Sequence, residues 1–110
     1  MAATVDVQIT DNSEQVLEAL AAALERGLEA IGLMAESHAK ELCPVDTGRL
    51  RNSITHVVQD DEVYIGTNVE YGPYVELGTN KRKARPFLRP AAENYGSEYK
   101  TLLESALKNG

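Results

Sequence analysis

Asp46-Thr47-Gly48 is a triplet with a known catalytic use. Two copies of it on facing loops let a pair of carboxylates share one proton, which is how an aspartic protease activates water. A chain of 110 residues could present the pair as a homodimer. The surrounding residues argue against this, because the triplet follows a long acidic segment and Pro44 where such an enzyme has an apolar strand, and Arg49 and Arg51 crowd the carboxylate with cations. The same residues suit a turn. Proline disfavours helix at the residue before it, Asp46 or Thr47 can cap a short helical turn, and Gly48 permits a sharp bend.

The remaining reactive side chains point away from catalysis. Cys43 and His38 lie five positions apart, a spacing that does not put two groups on one helical face. A lone cysteine with two histidines, His38 and His56, is no ligand set for zinc, and no cofactor motif is present. His38 reads as a packed residue on an apolar stripe and His56 as a packed or surface residue in a strand. No glycine-rich phosphate loop and no nucleophile elbow occurs.

Charge is distributed unevenly. Residues 1–76 hold fourteen acids and four bases, whereas residues 77–90 hold five bases, Lys81, Arg82, Lys83, Arg85 and Arg89, and no acid. The basic run suits phosphate binding or a solvated loop. A third reading fits the arithmetic better: the basic loop at about 80–89 of one subunit meets the acidic face of the next, a heterologous contact whose rotation closes a ring. The overall charge of −6 disfavours diffuse attraction to DNA or an anionic membrane.

The elements that must position these residues follow from hydropathy. A chain of 110 residues, 43% hydrophobic and 25% charged, is expected to form one globular domain over residues 1–110. Its longest apolar run, Ala19 to Leu24, is far shorter than the roughly 20 residues of a membrane-spanning helix, and Met1-Ala2-Ala3-Thr4 lacks the basic start of a secretory signal. Thr4 to Thr10 alternates as a half-buried strand, and Asn12 with Gln15 has capping-box spacing. A helix is predicted from Ser13 to Leu42, with Leu17, Leu20, Leu24, Leu28, Ile31, Ala35, His38 and Leu42 on one face. Glu14, Glu18, Glu25, Glu29, Glu36 and Glu41 fall on the other. At ~1.5 Å per residue the rod is about 45 Å long, so it bends near Gly27 or Gly32 or its end projects.

Ser53 to Val58 and Glu62 to Thr67 read as a hairpin around Gln59-Asp60-Asp61, burying Ile54, Val58, Val63 and Ile65. Asn68 to Thr79 reads as a short helix or turn ending in a bend at Gly78. Asn80 to Arg89 reads as an exposed, mobile loop. Pro86 and Pro90 bracket Phe87-Leu88, after which Ala92, Tyr95, Tyr99, Leu102 and Ala106 restore helical spacing. The expected fold is α+β, a long N-terminal helix and a C-terminal helix packed on a small antiparallel β-sheet.

Four ordered blocks carry a resemblance. Pro44-Val45-Asp46-Thr47-Gly48-Arg49-Leu50-Arg51-Asn52-Ser53-Ile54, Tyr64-Ile65-Gly66-Thr67, Tyr71-Gly72-Pro73-Tyr74-Val75-Glu76-Leu77-Gly78-Thr79 and Arg85-Pro86-Phe87-Leu88-Arg89-Pro90-Ala91 resemble the gene-product-ten-type tail-component family of long-tailed bacteriophages and their prophages. The resemblance implies a virion structural protein of the neck or tail, made in the bacterial host cytoplasm and without enzymatic activity or cofactor. It implies a head-to-tail joining or tail-completion component that forms a homo-oligomeric ring around the DNA channel, against other neck or tail proteins. Isolated copies can be monomeric if a contact orders only on its partner.

A channel should not hold DNA tightly, because every neutralised phosphate adds affinity, so the glutamate face of the first helix is expected toward lumen or solvent. Tyr71, Tyr74, Phe87 and Leu88 are expected interface anchors, with Glu76, Lys81, Arg82, Lys83, Arg85 and Arg89 completing the surface. A small nucleic-acid-binding module using residues 81–89 is the alternative.

Overall fold

The computed structural model describes residues 13–45 and 48–109. The expected Thr4–Thr10 strand, the Asn12 cap and the Asp46-Thr47 turn lie outside the described residues. Among the described residues five helices and two strands follow in the order α1 (Ser13–Leu42), α2 (Arg49–Ser53), β1 (Thr55–Gln59), β2 (Glu62–Gly66), α3 (Gly72–Leu77), α4 (Leu88–Glu93) and α5 (Gly96–Asn109). This is an α+β fold in which the long first helix and the C-terminal helices pack with a two-stranded antiparallel sheet. It measures 63 × 22 × 21 Å.

Alanine, leucine and glutamate, all strong helix formers, dominate the 30 residues of α1, and no proline interrupts them. Its buried stripe overlaps the expected one at Leu28 and Ala35, with Leu24, Ile31 and His38 half-buried, and departs from it elsewhere. Ala23, Leu28, Ala35, Ala39 and Cys43 are buried, together with Gly27 and Gly32, whereas Leu17, Leu20 and Leu42 are exposed. Small residues face inward because other elements come close there. A Cβ at Gly27 would lie 2.7 Å from Leu103 Cδ1 on α5, and one at Gly32 would run into the His56 ring on β1. These glycines admit neighbours and leave the helix continuous. Every residue from Glu14 to Ala22 is exposed, so of the two expected outcomes it is the end that projects.

Leu42 ends α1, Pro44 follows, and Gly48 at φ +84° starts α2. The strand expected from Ser53 starts later, because Arg49–Ser53 closes a helical turn in which the Ser53 hydroxyl donates to Leu50 O at 2.6 Å. β1 and β2 pair with His56 opposite Ile65 and Val58 opposite Val63 on the half-buried face. The connecting turn puts Asp60 at φ +58°, the sign that tight hairpin turns require.

The core cluster of Ala39, Cys43, Leu50, Ile54, Val69, Phe87 and Ala91 gathers α1, α2, α4 and the intervening loops. The single second helix expected after Pro90 is two. Pro90 lies inside the first turn of α4, where a missing N–H breaks no helical bond, and the chain turns again at Asn94 before α5 starts at Gly96. The Tyr99 hydroxyl, its pKa pushed up to about 12 chiefly by burial, ties the pair by donating to Ala91 O.

Candidate functional site

The reactive groups singled out by type are engaged in packing. The Cys43 thiol is 4% exposed, donates to Pro44 O at 3.5 Å and has its pKa raised by burial, which keeps it in the unreactive protonated form. His38 stacks on Tyr95, with ring centroids 3.6 Å apart and planes within 4°, and its Nε2 lies 3.2 Å from Glu98 Oε1. Its role is to join α1 to α5. Asp46 and Thr47 lie outside the described residues. Among the described residues no group of three or more His, Cys, Asp or Glu is placed to hold a metal ion.

The basic segment has a built backbone. Gly78 adopts φ +80°, and a Cβ there would approach Ala84 N to 2.7 Å, so only glycine fits the start of the loop. The Thr79 hydroxyl accepts from the N–H groups of Lys81 and Arg82 at 3.3 and 3.0 Å, and Thr79 N donates to Arg82 O at 2.9 Å. At the far end Arg85 N donates to Val75 O at 2.8 Å. The segment is exposed, as expected, and hydrogen bonds pin its backbone at both ends.

Glu76 does the pinning from beneath. One of its carboxylate oxygens accepts from Phe87 N at 2.9 Å and Leu88 N at 2.8 Å, and the other from Arg89 N at 3.1 Å. Three orphan donors at the start of α4 thus share one anion, favoured there by the helix dipole. Glu76 is a capping residue, spent inside the chain. Phe87 likewise departs from its expected place among the anchors, since it is fully buried in the core; an aromatic between two prolines is as well suited to filling a core as to a surface. Leu88 packs against that core, and Arg89 pairs with Glu93 at 3.2 Å.

Tyr74, 64% exposed, remains at the surface, and Tyr71 is half-buried with the Arg49 guanidinium 5.6 Å from its ring centroid. A cavity of about 520 Å³ opens beside them. Pro44, Val45, Tyr71 and Tyr74 form its apolar side, and Arg82, Lys83 and Arg85 its basic side. The chain thus brings Tyr71, Tyr74, Arg82, Lys83 and Arg85 of the predicted set together near the C-terminal end of α1, whereas Lys81 and Arg89 do not line the cavity.

One cluster escaped the sequence reading. His56 Nε2 meets Glu29 Oε1 at 2.5 Å, and His56 Nδ1 meets Glu36 Oε1 at 2.9 Å. Hydrogen bonds to the two carboxylates hold the imidazole pKa above its usual value, and the His56 bond is the main reason that the Glu36 pKa falls below its own. Glu29 and Glu36, expected on the free acidic face, point instead at the hairpin. The available signal was Glu29, Gly32 and Glu36 in helical register, leaving room for a ring between two acids. Its partner could not be named without the tertiary contact.

Comparison with protein families finds a match over residues 7–78 to the HK97-gp10-like model, described as "Bacteriophage HK97-gp10, putative tail-component". The matched segment covers α1 to α3 and ends before the basic loop. Neither the curated proteins nor the solved structures contain a match.

Proposed function

This chain belongs to the HK97-gp10-like family of bacteriophage tail-component proteins, and from that premise we propose that it is a virion structural protein that joins head to tail or completes the tail. Copies assemble in a ring around the DNA channel, in contact with other neck or tail proteins, and the chain acts by binding and not by catalysis. The observation that carries this reading is the separation of charge along α1. Arg82, Lys83 and Arg85 line one side of a cavity at its C-terminal end, while the exposed start of the helix carries Glu14 and Glu18.

Opposite charges at opposite ends of one scaffold steer identical copies into register. The acidic rod also disfavours tight capture of the DNA that passes through the channel. The test is removal of the gene from its phage or prophage followed by electron microscopy of induced particles. Filled heads and tails that fail to join, restored by the gene in trans, are expected; normal infectious particles would overturn the role.

The exposed cations also keep the nucleic-acid-binding alternative in view. Gel shift with duplex DNA at two salt concentrations separates them, and tight binding at physiological salt would favour the alternative.

A further inference from the structure

The first turns of α1 make an unusual surface. Val16, Leu17 and Leu20 are 49%, 52% and 50% exposed, at spacings of three and four that align Leu17 and Leu20 with Ala21. Glu14 and Glu18 flank them, and among the described residues neither is ion-paired. At the other end of the helix the cavity beside Pro44 offers the reverse. Its apolar side includes Val45 and Tyr74, 56% and 64% exposed, and its rim carries Arg82, Lys83 and Arg85, none paired with a carboxylate among the described residues. Apolar area and unspent charge thus occur twice, with opposite sign.

The two surfaces of one molecule cannot meet. From Leu17–Leu20 to Pro44 is roughly 40 Å of continuous helix at 1.5 Å per residue. Resting on the assembly reading above, we propose that the projecting start of α1 of one copy docks into the basic, tyrosine-lined cavity of a second copy, so that identical chains join head to tail.

Leu17 and Leu20 enter the apolar side of the cavity, and Glu14 and Glu18 meet the guanidinium groups and the ammonium on its rim. A phosphate backbone would satisfy the cations alone, leaving Val45, Tyr74 and the leucines uncovered. Because the joined patches differ, each dimer keeps one free end of each kind, and addition continues until the rotation between copies closes a ring. The contact combines desolvated apolar anchors with charges at its edge.

Two surface variants test this by sedimentation at low salt. Leu17→Asp with Leu20→Asp removes the plug, and Arg82→Glu with Lys83→Glu and Arg85→Glu removes the socket. Circular dichroism and thermal unfolding are the control that both variants stay folded. The wild type is expected to form concentration-dependent oligomers that dissociate as salt rises. Each variant alone should associate at least about tenfold more weakly. Mixed in equal amounts, they should give a 1:1 complex and nothing larger, because one intact plug and one intact socket remain.

Assembly that persists in both variants, or a mixture that does not complement, overturns the docking while leaving the virion role intact; normal particles from the gene deletion would instead remove the role. A full chain that is monomeric at millimolar concentration also overturns the docking. If it associates only after removal of residues 1–12, the apolar face belongs to the chain's own first residues.

Discussion

The His56 ring occupies the space that a side chain at position 32 would fill. The absence of a Cβ on α1 lets the hairpin lay its one inward-facing polar residue flat against the helix, between Glu29 and Glu36. Gly32→Ala therefore sets two effects against each other. Alanine gains up to about 1 kcal/mol of helix propensity, and forcing the ring away costs about 1–3 kcal/mol. A net loss of about 1 kcal/mol in urea unfolding is expected, and in a His56→Ala background the same change should stabilise.

The cluster also gives stability a pH signature. The folded pKa of His56 lies above the ordinary imidazole value of 6.5, so its contribution is complete below that value and disappears as pH rises through the raised pKa. The folded pKa of Glu36 lies below 4.5, so its contribution is complete above that value and disappears as pH falls through the lowered pKa. The advantage of wild type over His56→Gln in thermal midpoint should be widest between about pH 4.5 and 6.5 and should shrink on both sides. A flat difference from pH 4 to 10 would contradict the pairing.

Glu76 is expected to be worth more to the loop than to any surface. Replacing it with alanine strands three N–H groups at the head of α4 and should cost about 1–2 kcal/mol, in the range of a lost helix cap. The basic segment should be the first to respond. Trypsin should cleave after Lys81, Arg82 or Lys83 faster in Glu76→Ala than in wild type, with Glu76→Gln, which keeps one acceptor oxygen, in between.

Phe87 and Tyr74 are close in sequence and opposite in consequence. Phe87→Ala opens a void in the core and should cost about 3–5 kcal/mol, a large share of the stability of a chain this size. Tyr74→Ala at an exposed position should change unfolding by less than about 0.5 kcal/mol. An effect of Tyr74→Ala on association with unchanged unfolding is the outcome expected if it lines a docking surface.

Much of the fold is legible in the residues themselves. Helix formers without proline dictate α1, alternation in Thr55–Gln59 and Glu62–Gly66 dictates the hairpin, and Pro44, Gly48 and Gly78 mark the turns, because these signals act over a few neighbouring residues. The lopsided charge is local composition too, and so is the basic loop. What no local pattern decided is where along α1 its neighbours come closest. The nominated stripe is borne out at Leu28 and Ala35, which are buried, and at Leu24, Ile31 and His38, which are half-buried, but α5 and β1 approach most closely at Gly27 and Gly32, which carry no apolar side chain to mark the place. The same holds for Glu29, Glu36 and Glu76, three acids that sequence assigns to solvent or to a partner. Each is taken by a donor at least eleven residues away, a pairing that exists only once the chain has folded.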